Sequence, residues 1–320
     1  MRIGIDPWTL ASRFRFQGTY VYAQKLIAEF KKLGPSRPDL EFCLFAGTGD
    51  GNDARTLVES RSGFELCATR LLSNDPLWRF GGLGLAASRA RCDLIFAPTA
   101  SSMPFSRAPL VCTIHDVTPV VMPSHSIKAT LLLRSLLWSL ARFSRKIITD
   151  SECSRRDIVR IYGVPESRIA VIYLGYDKTV FNTEPMDPEK RQELLTRIGV
   201  SKPYILHHGT IQPRKNLVRL IEAYRLVLSR NSGADFELVL PGRIGWEYQE
   251  IMATANKSGP GRVIFAGTLS DQDLAMLIKG AHLVAIPSLY EGFCLPMVES
   301  MACGTPTVVS GTSCLPEVSG

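Results

Sequence analysis

Short apolar runs alternate with helical segments along most of this 320-residue chain, and that alternation restricts the fold more than any other feature. Strands are predicted at 1–6, 41–46, 93–97, 110–114, 146–149 and 170–173, with helices at 18–32, 127–143 and 151–162. In the first helix Val21, Leu26, Ile27 and Phe30 fall on one face at the helical period. The turn-forming, polar segment 182–188 then breaks the pattern as a linker. The alternation restarts after it, with strands at 204–207, 237–240, 263–265, 283–286 and 307–309. Helices are predicted between them at 217–230, around 246–256, at 271–280 and at 296–302. Repeated strand–helix units build parallel sheets with helices on both faces, and a chain of this length exceeds what one core supports. The expected fold is α/β, with two Rossmann-like domains, 1–182 and 183–320, whose parallel sheets face a central cleft. Ligands then bind at the carboxyl ends of the strands. Residues 315–320 are expected to follow the last strand with no closing helix, which reads as a truncated chain with a bare sheet edge.

Composition narrows the function classes. The hydrophobic share is 45% and the charged share 21%, as in soluble globular proteins. No run approaches the roughly 18 apolar residues of a membrane span. The N-terminus reads as a strand and not as a secretory signal, which points to a cytoplasmic protein. None of the eight cysteines forms a Cys-x-x-Cys pair, so neither a zinc site nor a disulfide framework is expected and most should be reduced packing residues. A net charge of +7 suits an anionic partner. No nucleic-acid-binding signature accompanies it, so no nucleic-acid partner is expected.

The most informative stretch is Glu291-Gly292-Phe293-Cys294-Leu295-Pro296-Met297-Val298-Glu299. Pro296 suits the first turn of a helix, and the amides of Phe293, Cys294 and Leu295 then head an N-terminus that attracts phosphate. Two carboxylates frame that position and would repel a bare phosphate. A ligand with phosphates at its centre and hydroxyl-rich groups at both ends resolves the conflict, because carboxylates accept from sugar hydroxyls. A nucleotide sugar is such a molecule.

The segment 207–216 follows a strand, and Gly209 lets its backbone approach a ligand. Arg214 and Lys215 put two cations beside the next helix start, where a diphosphate would compensate them, and Asn216 is placed to cap that helix. Gly242 sets another flexible turn at a strand end, and the 263–269 loop is placed for backbone contacts to a nucleobase. In the first half, Gln17-Gly18-Thr19 opens a helix without Gly-x-Gly-x-x-Gly, which argues against a nicotinamide site. Gly18 is instead a candidate to approach the diphosphate. His115 follows a strand and is placed to contact the transferred sugar or the acceptor, with Asp116 to orient it or to serve the acceptor hydroxyl. Asp150 and Ser151 are candidate helix caps, and Glu152 is a candidate cleft residue. The 127–146 segment, leucine-rich with Trp138 and five basic residues, reads either as a core helix with a solvated basic edge or as a membrane-surface helix.

These residues resemble the family 4 retaining glycosyltransferases, which have the two-domain GT-B fold. The resemblance rests on the Glu291–Glu299 spacing, Gly209 with Arg214-Lys215-Asn216, His115-Asp116, the 150–157 segment, Ser310-Gly311 and Leu315-Pro316-Glu317. It implies that Glu299 holds the ribose and that Glu291, Gly292 and the Phe293 and Cys294 amides hold the donor sugar. It also implies that Arg214 and Lys215 neutralise the diphosphate and that transfer needs no metal or other cofactor. Cys294 stands where the family commonly has glycine. The 114–119 context is most similar to mannosyltransferases, so GDP-mannose is the favoured donor and a glycan or lipid-linked molecule of surface polysaccharide assembly the acceptor. Peripheral association with a membrane is the further partner this reading carries. A nucleotide-sugar epimerase, or a non-catalytic nucleotide-sugar-binding protein, is the alternative on the same scaffold.

Overall fold

The computed structural model describes residues 1–10, 18–47, 64–69, 77–100, 102, 105–123 and 127–320, and Gln17 lies outside them. The chain divides into two compact units, Met1–Ile172 and Tyr173–Gly320, so the 182–188 segment falls within the second.

In the first unit, β1 (Arg2–Ile5) is followed by α1 (Gly18–Leu33), β2 (Glu41–Gly47), β3 (Phe64–Thr69), α2 (Leu83–Arg89), β4 (Leu94–Ala97) and β5 (Leu110–Thr113). Then come the single turn α3 (Thr118–Val121), α4 (Ile127–Phe143), β6 (Lys146–Thr149), α5 (Glu152–Tyr162) and β7 (Ile169–Val171). The described strands form one sheet in the order β3-β2-β1-β4-β5-β6-β7, with every neighbouring pair parallel. The order reverses between β1 and β4, which is the topological switch point of a doubly wound sheet. Ile3 and Ile5 of β1 turn one way, into a core with Tyr20, Ala23 and Ile27 of α1. Gly4 turns the other way, where a Cβ would stand 2.9 Å from the Phe45 ring. Ser151 caps α5 by accepting from the Ser154 N–H at 3.0 Å, and Gly163 ends it at φ 63°.

In the second unit the elements are α6 (Pro188–Ile198), β8 (Tyr204–Leu206), α7 (Leu217–Arg230), β9 (Glu237–Pro241), α8 (Gln249–Asn256) and β10 (Val263–Gly267). They continue with α9 (Asp271–Lys279), β11 (Leu283–Ile286), α10 (Leu295–Ala302), β12 (Thr307–Val309) and α11 (Leu315–Ser319). The parallel sheet runs β10-β9-β8-β11-β12, so its switch point lies between β8 and β11. Both faces are buried. Leu238 and Leu240 of β9 pack with Leu217 and Ile221 of α7, while Val239 joins Leu195, Ile278 and Met297 on the opposite face. Buried strands of this kind read as continuous apolar runs, which is why they are legible in sequence.

Three expectations are corrected. Pro188 does not end a linker; it occupies the first turn of α6, capped by Asp187, whose carboxylate accepts from the Glu189 and Lys190 N–H groups at 3.0 and 3.3 Å. Residues 315–319 do form a helix after β12, and Leu315 is fully buried in the core. Cys43 of β2 and Cys67 of β3 are joined as a disulfide, where no disulfide framework was expected and most cysteines were expected to be reduced.

Candidate functional site

The second unit's switch point brings together Arg214, Lys215 and Glu291. The loop leaving β8 carries residues 207–216, and the loop leaving β11, the neighbouring strand, carries 287–294. Parallel neighbours deliver both loops to the same edge of the sheet. Backbone and side-chain bonds then tie the loops together: the Leu289 N–H donates to the Arg214 carbonyl at 2.9 Å, and Asn216 Nδ2 donates to the Pro287 carbonyl at 3.2 Å. Asn216 was expected to cap α7. It sits at that position at φ 57°, but its side chain makes no capping bond and bridges the loops instead.

Arg214, Lys215 and Glu291 meet in one cluster. Glu291 Oε2 accepts from Arg214 Nη1 at 2.5 Å, and Oε1 accepts from Lys215 Nζ at 2.6 Å. Arg214 Nη1 also donates to the Tyr290 carbonyl at 2.6 Å, and the Glu291 N–H donates to Ser313 Oγ at 3.0 Å. Lys215 and Glu291 are both buried. Burial alone would raise the Glu291 pKa, but the Lys215 and Arg214 charges outweigh it and hold the carboxyl down at about 2.

Glu299, on α10, has a different setting. Its carboxylate lies 3.7 Å from His208 Nδ1. That approach is no ion pair: burial, then the neighbouring His207, push the His208 pKa down to about 3, so the ring is neutral. His208 Nε2 lies 3.1 Å from the Pro296 carbonyl and 3.2 Å from Ser300 Oγ. Burial, with a smaller push from Asp271, raises the Glu299 pKa to about 7. His207 is also held neutral, its pKa lowered to about 4 by burial and by the Lys215 charge, with Nδ1 donating to the Ala285 carbonyl at 2.8 Å. The β8 loop therefore touches Glu299 through His208 at one end and Glu291 through Arg214 and Lys215 at the other.

Phe293, Cys294 and Leu295 head α10, with Pro296 in its first turn. Gly292 and Phe293 are buried, and the Phe293 ring lies 5.9 Å from that of Tyr173. Cys294 adopts φ 76°, left-handed backbone that favours glycine. Its buried side chain joins the core beside Met297 and so offsets that preference. Gly209 and Gly242 also have positive φ, 131° and 145°. A Cβ on Gly242 would lie 1.9 Å from the Gly209 carbonyl oxygen, so it is Gly242 that lets the loops after β8 and β9 touch, whereas a Cβ on Gly209 would meet only the Lys215 side chain at 3.7 Å. Gly18 opens α1 on the surface, where a Cβ would meet open space.

The first unit holds a second constellation. His115 follows β5 and Asp150 follows β6, and these strands are neighbours. His115 Nδ1 lies 2.7 Å from Asp150 Oδ2. Burial opposes protonation of the ring, yet the Asp150 hydrogen bond and charge prevail, with help from Asp116 and the Pro98 backbone, and the His115 pKa is raised. Tyr22 meets the ring edge-on at 4.7 Å between centroids. Asp116 was expected to orient His115. It is instead turned to the backbone, where Oδ1 accepts from the Thr118 N–H at 2.8 Å, and Asp150 does the orienting. Sequence reasoning assigned Asp150 to helix capping, which Ser151 performs. Two polar residues that each end an apolar strand were the available signal, but only the strand order pairs them. His208 was missed likewise, as a histidine beside a strand with no visible partner.

Two doubly wound parallel-sheet units define the GT-B class of glycosyltransferase architecture. The structure of Anabaena HepE in complex with UDP and glucose matches at a TM-score of 0.64 and 23% identity, covering 99% of this chain and 82% of that one. A family profile described as Glycosyltransferase Family 4 matches residues 17–180, and one described as Glycosyl transferases group 1 matches 189–320. The chain belongs to glycosyltransferase family 4. It is 33% identical over 214 residues to the O-antigen chain mannosyltransferase B of Escherichia coli, covering 66% of this chain and 55% of that protein. It is 32% identical over 182 residues to the MMP alpha-(1->4)-mannosyltransferase of Mycolicibacterium hassiacum, covering 57% of this chain and 40% of that protein. The chain thus matches about half the length of these curated relatives, or less.

Proposed function

We propose that the protein is a retaining hexosyltransferase that moves a sugar from a nucleotide diphosphate sugar to a glycan or lipid-linked acceptor of surface polysaccharide assembly. The observation that carries this reading is the Arg214–Lys215–Glu291 cluster at the carboxyl ends of two neighbouring parallel strands. Arg214 and Lys215 supply the positive charge that a departing diphosphate requires, in a buried setting where such charge acts strongly. They take the place a metal ion would fill, so the reaction is assigned no metal and no other cofactor. Glu291, ionised at neutral pH, accepts from donor-sugar hydroxyls. Glu299 accepts from the ribose. The backbone of residues 292–295 contacts the sugar and phosphates at the start of α10, with Gly209 and Gly242 admitting the close approach.

In the transfer step the bond from the anomeric carbon to the leaving phosphate oxygen breaks. The acceptor oxygen bonds to the same face of that carbon, and its proton passes to the departing phosphate. His115, held by Asp150, is assigned to the sugar or acceptor side, with Asp116 beside it. Relatives named as mannosyltransferases favour a mannosyl donor, and GDP-mannose is the donor we assign. UDP, present in the Anabaena HepE complex, marks the competing base.

Thermal unfolding with GDP, UDP and their sugars tests the donor, since a ligand that binds only the folded state raises the melting temperature. GDP and GDP-mannose should shift it and UDP should not. Arg214→Ala and Lys215→Ala should each lower transfer about a hundredfold or more while the protein stays folded. Near-normal turnover in both would remove the assignment.

A further inference from the structure

His208 is a buried histidine that the transfer chemistry leaves unused, and its hydrogen bonds fix which ring nitrogen carries the proton. Nε2 lies 3.1 Å from the Pro296 carbonyl and 3.2 Å from Ser300 Oγ. The carbonyl can only accept. Ser300 donates its own hydrogen to that same carbonyl at 2.7 Å, so its oxygen is left to accept as well. Nε2 therefore carries the hydrogen, and in the neutral ring Nδ1 is a bare lone pair. That lone pair faces Glu299 Oε2 at 3.7 Å. An ionised carboxylate and a bare nitrogen are both acceptors, and they repel. A protonated carboxyl removes the conflict, since an approach of about 1 Å closes an O–H···N bond.

The surroundings point the same way. Among the described residues, His208 is the one basic side chain within ion-pair distance of Glu299. Asp271, at the start of α9, opposes ionisation of Glu299, and the Cys303 thiol at the end of α10 feels its charge. His207 and Lys215 discourage a charge on the His208 ring, which disfavours an imidazolium–carboxylate pair. The His208 side chain is 3% exposed and that of Glu299 is 18%, so a ligand reaches the carboxyl and not the ring. A carboxyl kept neutral while the site is unliganded also avoids leaving a shielded charge unpaired.

We propose that His208 is a positioning residue for Glu299: its Nδ1 holds the protonated carboxyl in the unliganded protein, and a nucleotide breaks that bond, takes up the carboxylate through its ribose and releases the proton. The O–H bond of Glu299 breaks and its proton passes to water or buffer. The ribose hydroxyl then donates to the carboxylate left behind. The proposal rests on the assignment of Glu299 to the ribose. It adds a link between donor binding and pH that is set from the β8 loop, by a residue that touches neither sugar nor phosphate.

Carbon-13 NMR of the full chain with labelled glutamate tests the first half without a ligand, the Glu299 signal being assigned by its loss in Glu299→Gln. The wild-type carboxyl should titrate at about 7. His208→Gln keeps a donor at the Nε2 position and lacks the Nδ1 acceptor, so it should move that midpoint down by about one pH unit. His208→Asn keeps an acceptor at the Nδ1 position and lacks the Nε2 donor, so it should leave the midpoint near the wild-type value. A ring that merely ties the β8 loop to α10 would give the reverse order, and that result would overturn the proposal. So would a wild-type midpoint below about 5. Calorimetry with GDP, and with UDP if GDP does not bind, in two buffers of different ionisation enthalpy tests the second half. At about pH 6.5 the wild type should release about three-quarters of a proton per nucleotide bound, and His208→Gln about a quarter. Binding with no proton released would overturn the proposal and leave the donor reading standing. Failure of both nucleotides to bind would overturn the donor reading, and the coupling with it.

Discussion

Glu291 and Glu299 are the same residue type in one loop–helix segment, yet their surroundings push them in opposite directions. Glu291 meets two cations and is held down at about 2. Glu299 meets a neutral histidine and is raised to about 7. Both are largely shielded from water, so burial opposes charge in each case. What differs is the company: Arg214 and Lys215 repay the desolvation of Glu291, and His208 cannot repay that of Glu299. The first carboxylate is a fixed element of a charged cluster. The second changes its protonation near neutral pH, which suits a group that must meet a ligand before its charge becomes favourable.

The sharpest way to break the comparison is to remove the Glu291 carboxylate. Glu291→Ala strands Arg214 and buried Lys215 beside each other. Loss of one partner from a buried pair costs about 3–5 kcal/mol, and urea unfolding should show a loss of this order. Asp150→Asn comes next, as an intermediate case in which a carboxylate faces a group that itself titrates. The His115 pKa is raised in the folded protein, so its contribution to stability is present below the unfolded histidine value and fades as pH rises through the folded one. Asp150→Asn should lower the His115 pKa below about 6.5 in an NMR titration, and should reverse that pH dependence, so that the variant loses stability as pH falls. An unchanged His115 titration would show that the hydrogen bond at 2.7 Å does not set the ring's charge.

What could be read in advance follows from what each signal encodes. Buried parallel strands are continuous apolar runs, so Leu283–Ile286 stands out with its bounds intact; the edge strand Thr307–Val309, with Val308 exposed, is apolar enough to keep its bounds as well. Arg214, Lys215 and Glu291 were visible because charge beside strand ends and a proline-headed helix is locally unusual. Their mutual pairing was not visible, because it depends on β8 lying next to β11, and strand order has no local code. The same gap hid His115–Asp150, which needs β5 beside β6. Asp187-Pro188 shows a different limit, since one dipeptide serves turns and helix starts alike, and the buried Leu194 and Leu195 decide for a helix. Cys294 hides its left-handed backbone for the opposite reason. A glycine there would have announced the turn, and the cysteine keeps it through core packing.

Glu299→Gln is the most discriminating substitution, because it should stabilise where the others destabilise, and the size of its effect depends on pH. The folded Glu299 pKa lies above the ordinary value for an unfolded glutamate, so ionising it costs the folded state. That cost is absent below about pH 4, grows between there and about pH 7, and is then constant. Gln resembles the protonated side chain and carries no such cost. Glu299→Gln should therefore match the wild type in urea unfolding at pH 4 and exceed it at pH 8, whereas Glu291→Gln should be less stable than the wild type at pH 8. Nucleotide binding should respond in the other direction. A ribose hydroxyl bonds an ionised carboxylate more strongly than an amide, a difference of about 1 kcal/mol or more. Calorimetric affinity of the wild type for the favoured nucleotide should rise between pH 6 and pH 8 as Glu299 loses its proton, and Glu299→Gln should flatten that rise. A variant that binds as tightly as the wild type at pH 8 would detach Glu299 from the ribose and leave its raised pKa as a consequence of burial alone.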